Sequence, residues 1–421
     1  DDAFGVRGAG GVGQRTDPLR AVLLAELSPA RRQALNLRTA QVLQQQGLHS
    51  PAEMRRAARH FQAGGDFQSA FRWWVNAGVA SAGEDHDRAL SDLRQAELLL
   101  PQLQNRAPHE LVHSLYTTWT SLTLQAGRLE EAERVNKMLL NFGEQVDAPA
   151  LIGSAYYGLA NTAAQRGQNR RALTYLEQAA PFLRQAGSLQ ERLEGARQQA
   201  QQLNQLLRYH EAIRVLEDIT RLNFSDQNLP IRRALGWVYI QLALTLLNTG
   251  QYRRSAAAAQ NAVEIFQTTL DAPGMANATL ATSLLDLHTG TYARGLARLQ
   301  EAKPQLAQLN NSSFMAYVCA LEAALYTALG QLDDAWHAQI DALRLADANH
   351  LSTVQSWVYS IRGDAFFFLR AYDQAVEAHR QSLDISSEHV AAISSLARLG
   401  SALVMNGQRE NGFTFLRRAI D

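Results

Sequence analysis

A turn residue followed five positions later by a small residue recurs along this chain at a nearly constant spacing, and no other feature restricts the fold so strongly. Gly127 precedes Ala132, and the same step joins Gly167 to Ala172, Gly250 to Ser255, Gly290 to Gly295, Gly330 to Ala335 and Gly407 to Gly412. Leu207 to Ala212 and Arg370 to Ala375 keep the small residue without the glycine. From Ala132 to Gly412 the small residues advance by 40, 40, 43, 40, 40, 40 and 37 residues. One unit, Ala150–Ala180, shows what repeats. Tyr156, Leu159, Ala160 and Ala163 follow helical spacing, Gly167 interrupts it, and Ala172, Leu176 and Ala179 resume it, which predicts an amphipathic helix, a stop and a second amphipathic helix. Neither helix buries its apolar stripe alone, so neighbouring copies must cover it and the unit predicts an array. A helix end that reverses the chain favours a left-handed residue, usually glycine. The returning helix then comes so close that only Ala, Ser or Gly fits.

The stretch from Tyr156 to Ala172, together with Leu399-Gly400, Gly407 and Ala419, resembles the tetratricopeptide repeat (TPR). The resemblance implies an all-α, right-handed superhelix, an α-solenoid, and the repeat steps give about nine helix pairs. The usual period is about 34 residues; steps near 40 imply longer helices or linkers, as in the sensor superhelices of MalT-like bacterial regulators. Thr16–Leu43 reads as two helices split at Ser28-Pro29, with Ser28 as N-cap and Pro29 in the first turn. Asp17-Pro18-Leu19-Arg20 and Leu27-Ser28-Pro29-Ala30-Arg31-Arg32 resemble the end of the winged-helix region that follows the ATPase core in signal-transducing ATPases with numerous domains (the STAND class). The expected division is therefore a winged-helix tail and linker over residues 1–48 and a superhelical sensor over residues 49–421. Ala58–Asp87 is an irregular first unit, with Gly65 to Ala70 at the repeat step and Trp73-Trp74 sealing the end of the core.

Hydrophobic residues make up 46% of the 421 residues and charged ones 19%, the balance of a well-packed chain. Lys+Arg and Asp+Glu are equal at 40 each, so no net field draws nucleic acid or an anionic membrane. One cysteine, Cys319, permits no internal disulfide and suits a reducing cytoplasm; it is read as buried and inert. The longest nearly apolar run, Ala234–Leu247, is interrupted by Gln241 and falls short of the roughly 20 residues a bilayer requires. The chain starts at Asp1 without an apolar secretory core, and is read as a segment of a longer protein.

Three patterns invite a chemical reading. Gly8-Ala9-Gly10-Gly11-Val12-Gly13 is a formal GxGxxG, yet Gln14 and Arg15 stand where a phosphate loop needs lysine and a hydroxyl, so a turn is expected. His109-Glu110-Leu111-Val112-His113 matches the HExxH of zinc hydrolases, but it opens the first helix of a repeat, and the candidate third ligand, Glu131, already fits the polar position before Ala132. No metal and no cofactor are expected in this segment, which is read as non-enzymatic. Arg184, Arg192, Arg197, Arg208 and Arg214 with their neighbours make the centre basic. Glu177, Glu191, Glu194, Glu211 and Glu217 balance them, so solvated helix faces are expected rather than an anion site.

In a TPR superhelix the first helix of each pair lines the concave face. Residues 13, 10, 6 and 3 before each turn residue then become the binding candidates: Tyr157, Asn161, Glu194, Arg197, Gln201, Asn204, Trp237, Asn277, Tyr317, Trp357 and Asp364. Rings that stack and amides that hydrogen-bond suit a sugar, a nucleotide-like molecule or a peptide. The same register puts Leu280, Leu284 and Leu287 in the groove, where a slip of register is expected. The resemblance implies a sensor that receives a small-molecule inducer or a protein or peptide partner and acts on an upstream ATPase module in cis. The alternatives are a free-standing scaffold for an extended peptide and, far behind, an HExxH hydrolase.

Overall fold

The structure, a computed structural model, describes residues 27–222, 228–309, 311–386 and 391–420; the glycine cluster at 8–13 and the Asp17–Arg20 turn lie outside them. The described chain is α-helical and forms two compact units, one ending at Arg166 and one beginning at Gly167. The first unit holds α1 (Pro29–Gln45), α2 (Pro51–Ala63), α3 (Phe67–Ser81), α4 (His86–Glu97), α5 (His109–Gln125), α6 (Leu129–Gln145) and α7 (Pro149–Gln165). The second holds α8 (Asn169–Ala186), α9 (Leu189–Gln205), α10 (Tyr209–Thr220), α11 (Leu229–Asn248), α12 (Tyr252–Thr269), α13 (Ala272–His288) and α14 (Tyr292–Gln308). It continues through α15 (Ser312–Leu329), α16 (Leu332–Ala348), α17 (Ser352–Phe368), α18 (Tyr372–Ser386), α19 (Ala391–Met405) and α20 (Arg409–Arg418).

The repeat step is a backbone device. Gly127, Gly167, Gly250, Gly290, Gly330 and Gly407 all take φ between 67 and 82°, and the two glycine-free turns do the same, Leu207 at 62° and Arg370 at 60°. The left-handed turn is thus the invariant, and glycine is the residue that adopts it with least strain. The small residue five positions on is buried each time, with Ala132, Ala172, Ala212 and Ala375 fully so. Ser255 fits because its hydroxyl donates to Ala243 O at 2.8 Å and leaves no polar group unsatisfied.

Helix starts follow local chemistry. Ser28 caps α1 and accepts from Arg31 N, with Pro29 in the first turn. Ser50 with Glu53, and Ser188 with Glu191, form reciprocal capping boxes. In the first unit Trp74 is buried and donates through Nε1 to Gln62 Oε1 at 3.0 Å, with Trp73 packed against the same core.

In the second unit each odd-numbered helix from α9 to α17 packs on the next odd-numbered helix, while each even-numbered helix between them lies against its two sequence neighbours. The side where helices meet like on like is the inner face of this unit, an α-solenoid arrangement. Phe266 of α12 shows how tight the stack is: a Cβ at Gly274 would come within 2.3 Å of its ring and one at Gly236 within 2.7 Å. Glycine on both flanking helices is what lets this fully buried ring fit. Helix α15 corrects the sequence reading of apolar runs, since it, rather than Ala234–Leu247, is long and apolar enough to cross a membrane. Here it is a core helix, with Ala316, Val318, Ala320, Ala323 and Leu325 fully buried between its neighbours. Cys319 is also buried, and burial pushes its thiol up to about 11, away from the reactive thiolate.

Candidate functional site on the inner face of the second unit

The inner face holds a cavity of about 430 Å³ built by four successive odd-numbered helices: Ile240 and Leu244 from α11, Asn277 to Leu284 from α13, Phe314 to Leu321 from α15, and Trp357 from α17. Asn277, Tyr317 and Trp357 each stand 13 residues before their turn residue, and the stack brings all three to the one wall. Leu280 and Leu284 also line it, so the register does not slip there and the leucines belong to the groove.

Every residue of the wall is uncharged. Asn277 commits its Nδ2 to Pro273 O at 3.0 Å, and Asn311 Oδ1 caps α15 by accepting from Phe314 N at 2.9 Å. The Tyr317 hydroxyl has no partner among the described residues. It is pushed above the ordinary tyrosine range by burial, so it stays a neutral donor at physiological pH. Such a wall accommodates an apolar group and offers a few placed hydrogen bonds, while an ion entering it would lose hydration without gaining a counter-charge.

Two turns beyond Trp357 on α17, about 10 Å along the helix, Asp364 begins a charged cluster. Arg398 of α19 donates through Nη1 to Asp364 Oδ2 at 2.5 Å and to Ser360 Oγ at 2.8 Å. His379 of α18, almost fully buried, places Nε2 3.8 Å from Asp364 Oδ1, and its Nδ1 is buried without a hydrogen-bond partner. Burial pushes the Asp364 carboxyl up to about 6 against the pull of Arg398, and burial together with the Arg398 charge pushes His379 down to about 4.

The other sequence candidates are dispersed. Tyr157 and Asn161 sit part-buried on α7 of the first unit, and Glu194 and Arg197 form an ion pair at 3.9 Å on α9 of the second. Gln201 is exposed, and Asn204 ties α9 to α11 by donating to Thr245 Oγ1 at 2.8 Å. Trp237 packs edge-on against Phe266 with centroids 5.5 Å apart, so it serves the core between α11 and α12. The HExxH histidines also have local surroundings: His113 shares a 2.9 Å hydrogen bond with Ser154 Oγ, and Glu131 accepts from Arg94 and Trp119. Among the described residues no group of three His, Cys, Asp or Glu side chains is spaced to hold a metal. Sequence reasoning missed Asn311, Ser313 and Arg398. The first two start α15 ahead of the counted positions, and Arg398 stands one residue off the register, its long side chain making up the difference.

Neither a protein-family model nor a curated protein matches the chain. Solved structures do. The apo form of RapI superposes with TM-score 0.59 at 11% identity, over 85% of this chain and 96% of that one. A Rap protein complexed with competence and sporulation factor gives 0.57 at 13%, over 84% and 97%. The Rap conjugation gene regulator of the plasmid pLS20, in complex with the Phr* peptide, gives 0.54 at 12%, over 85% and 93%. The chain has the fold of TPR-like repeat proteins. At these identities the likeness is one of fold.

Proposed function

We propose that this chain is a partner-sensing repeat domain, and that the inner-face cavity of its second unit receives an uncharged, largely apolar group, foremost the apolar side chains of an extended peptide. The observation that carries the reading is the wall itself: about 430 Å³ lined by leucines, Phe314, Tyr317 and Trp357 without one charged side chain. Two of the solved structures with this fold are complexes, one with competence and sporulation factor and one with the Phr* peptide, which supports a peptide over a sugar or nucleotide. In this reading the segment binds rather than catalyses, works in the cytoplasm, and belongs to a MalT-like STAND regulator whose ATPase module lies upstream. That last step rests on the resemblance of the first 45 or so residues to a winged-helix tail, set out above.

The test is an array of uncharged hexapeptides, with Leu or Phe at each position in turn, followed by calorimetric titration of those retained. Saturable binding that weakens at least tenfold in Tyr317→Ala and is lost in Ser313→Trp, with parent-like melting, is the expected result. Retained peptides that bind both variants like the parent would move the site away from this cavity. Binding confined to neutral sugars would replace the peptide by a small-molecule inducer.

A further inference from the structure

We propose a second binding site, on the side of the second unit opposite the inner-face cavity, for a small amphipathic monocarboxylate. Where α8, α9 and α10 meet, a groove of about 560 Å³ opens between the two even-numbered helices. Its floor is the backbone of α9 at Gly195 and Ala196, set so close that a Cβ at Gly195 would come 3.1 Å from Leu183 Cδ1. Leu176, Leu183, Val215 and Ile219 make the walls apolar.

Two guanidinium groups line this apolar groove, Arg184 and Arg192. The sequence pairs the arginines of this region with glutamates, and the structure agrees for two of them: Arg197 pairs with Glu194 and Arg208 with Glu211. Arg184 and Arg192, the two that line the groove, do not follow. Neither guanidinium forms an ion pair or hydrogen bond among the described residues, and Arg192 Nε is buried without a partner. A guanidinium left without a counter-charge in an apolar groove is a place where an acceptor belongs. The two carboxylates on the wall do not supply it, since Asp218 pairs with Arg221 at 3.3 Å and Glu177 lies in the field of Arg208.

A related groove shows that the arginines are not a by-product of stacking. Between α12, α13 and α14 the same arrangement leaves about 410 Å³, lined by Phe266, Met275, Leu306 and their neighbours and by no arginine or lysine. Packing of this type therefore makes the notch, and the first notch alone of these two adds cations. The guanidinium fork matches a carboxylate in two parallel hydrogen bonds, and the apolar walls take a hydrocarbon or aromatic body. Glu177 and Asp218 on the wall repel a second negative charge, which favours a carboxylate over a phosphate dianion.

The experiment titrates the 421-residue chain calorimetrically with octanoate, acetate, 1-octanol and octyl phosphate. Octanoate is expected to bind saturably at one site, at least tenfold more tightly than acetate, which lacks the body, or 1-octanol, which lacks the charge. Arg184 is exposed, so Arg184→Gln keeps the fold and weakens octanoate at least fivefold; Ala196→Phe, which fills the floor, abolishes it. Tyr317→Ala, in the inner-face cavity, leaves octanoate binding unchanged, which separates this site from the peptide reading. No saturable octanoate binding, equal affinity for 1-octanol, tighter binding of octyl phosphate, or parent-like binding by Arg184→Gln and Ala196→Phe would each overturn the assignment.

Discussion

Arg398 Nη1 donates to Asp364 Oδ2 at 2.5 Å, yet the Asp364 carboxyl is pushed up to about 6, because burial outweighs the attraction of the guanidinium. In the folded state Asp364 therefore holds its proton more tightly than in the unfolded chain. Its contribution to stability is fully present below the ordinary aspartate value near 3.8 and is lost as pH rises through about 6. His379, pushed down to about 4 from 6.5, works the other way. Its contribution is present above 6.5 and is lost as pH falls toward 4. The two oppose each other across the same window, so the parent protein has a shallow dependence there. Asp364→Asn is expected to lose stability more steeply between pH 6.5 and 4, and His379→Gln to lose less or to gain. Urea midpoints at pH 4, 5, 6 and 7 measure both slopes; equal slopes in parent and variants would show that neither group titrates abnormally.

The glycine-free turns offer a gain in stability. Leu207 and Arg370 hold φ near 60°, and both are exposed, so little packing is lost on removing either side chain. A left-handed non-glycine residue costs about 1–2 kcal/mol, of which the greater freedom of unfolded glycine takes back a part. Leu207→Gly and Arg370→Gly should each stabilise by about 0.5–1 kcal/mol in denaturant melts. A loss in both would mean that the side chains make contacts that outweigh the backbone strain.

At the small positions the effect reverses. Ala172 and Ala335 are buried against neighbouring helices, at 0% and 1% exposure, and a leucine at either forces those helices apart. Ala172→Leu and Ala335→Leu should each destabilise by roughly 1–3 kcal/mol, read as a lowered denaturant midpoint at unchanged slope. Parent-like midpoints would place these residues away from the helix contacts.

How far the sequence goes depends on the range of the interaction involved. The turn residues and small residues are local requirements of a reversing helix, so the 40-residue step alone locates the helix ends from Gly127 to Gly412. The inner face is legible in part for the same reason: Asn277, Tyr317 and Trp357 share one register position, and equal steps bring equal positions together. The register does not say what else reaches them. Trp237 occupies the same counted position but turns to Phe266, because Gly236 and Gly274 open a slot for that ring, and Asn204 finds Thr245 one odd-numbered helix away. These are choices among tertiary partners, which spacing within one helix does not encode. The unpaired arginines were hidden differently, since charge counting pairs Arg184 and Arg192 with glutamates that in three dimensions serve other groups, Glu194 and Glu211 pairing with Arg197 and Arg208 and Glu191 capping α9.

Gly295 tests which force sets the small residue. Five other units carry alanine at this position and Gly295 lies in the first turns of α14, so helix propensity alone favours Gly295→Ala by up to about 1 kcal/mol. The packing predicts the opposite. A Cβ there would stand 2.9 Å from Asp286 Cβ and 3.3 Å from Leu325 Cδ2. Asp286 cannot easily yield, because it is 1% exposed and its carboxylate accepts from Thr291 Oγ1 at 2.9 Å, Arg294 Nε at 2.8 Å and Arg298 Nη1 at 2.5 Å. Moving it would strain several charge-assisted bonds at once. Gly295→Ala should therefore destabilise by about 1–2 kcal/mol, despite restoring the commoner residue of the repeat. In an Asp286→Ala background, itself destabilised, the Cβ stays but the bonds from Arg294 and Arg298 that hold α14 to α13 are gone, so the helices can separate and the further cost of Gly295→Ala should shrink by at least half in a double-mutant cycle. A stabilising Gly295→Ala, or a cost unchanged in the Asp286→Ala background, would mean that the Asp286 anchor does not hold this helix crossing in place.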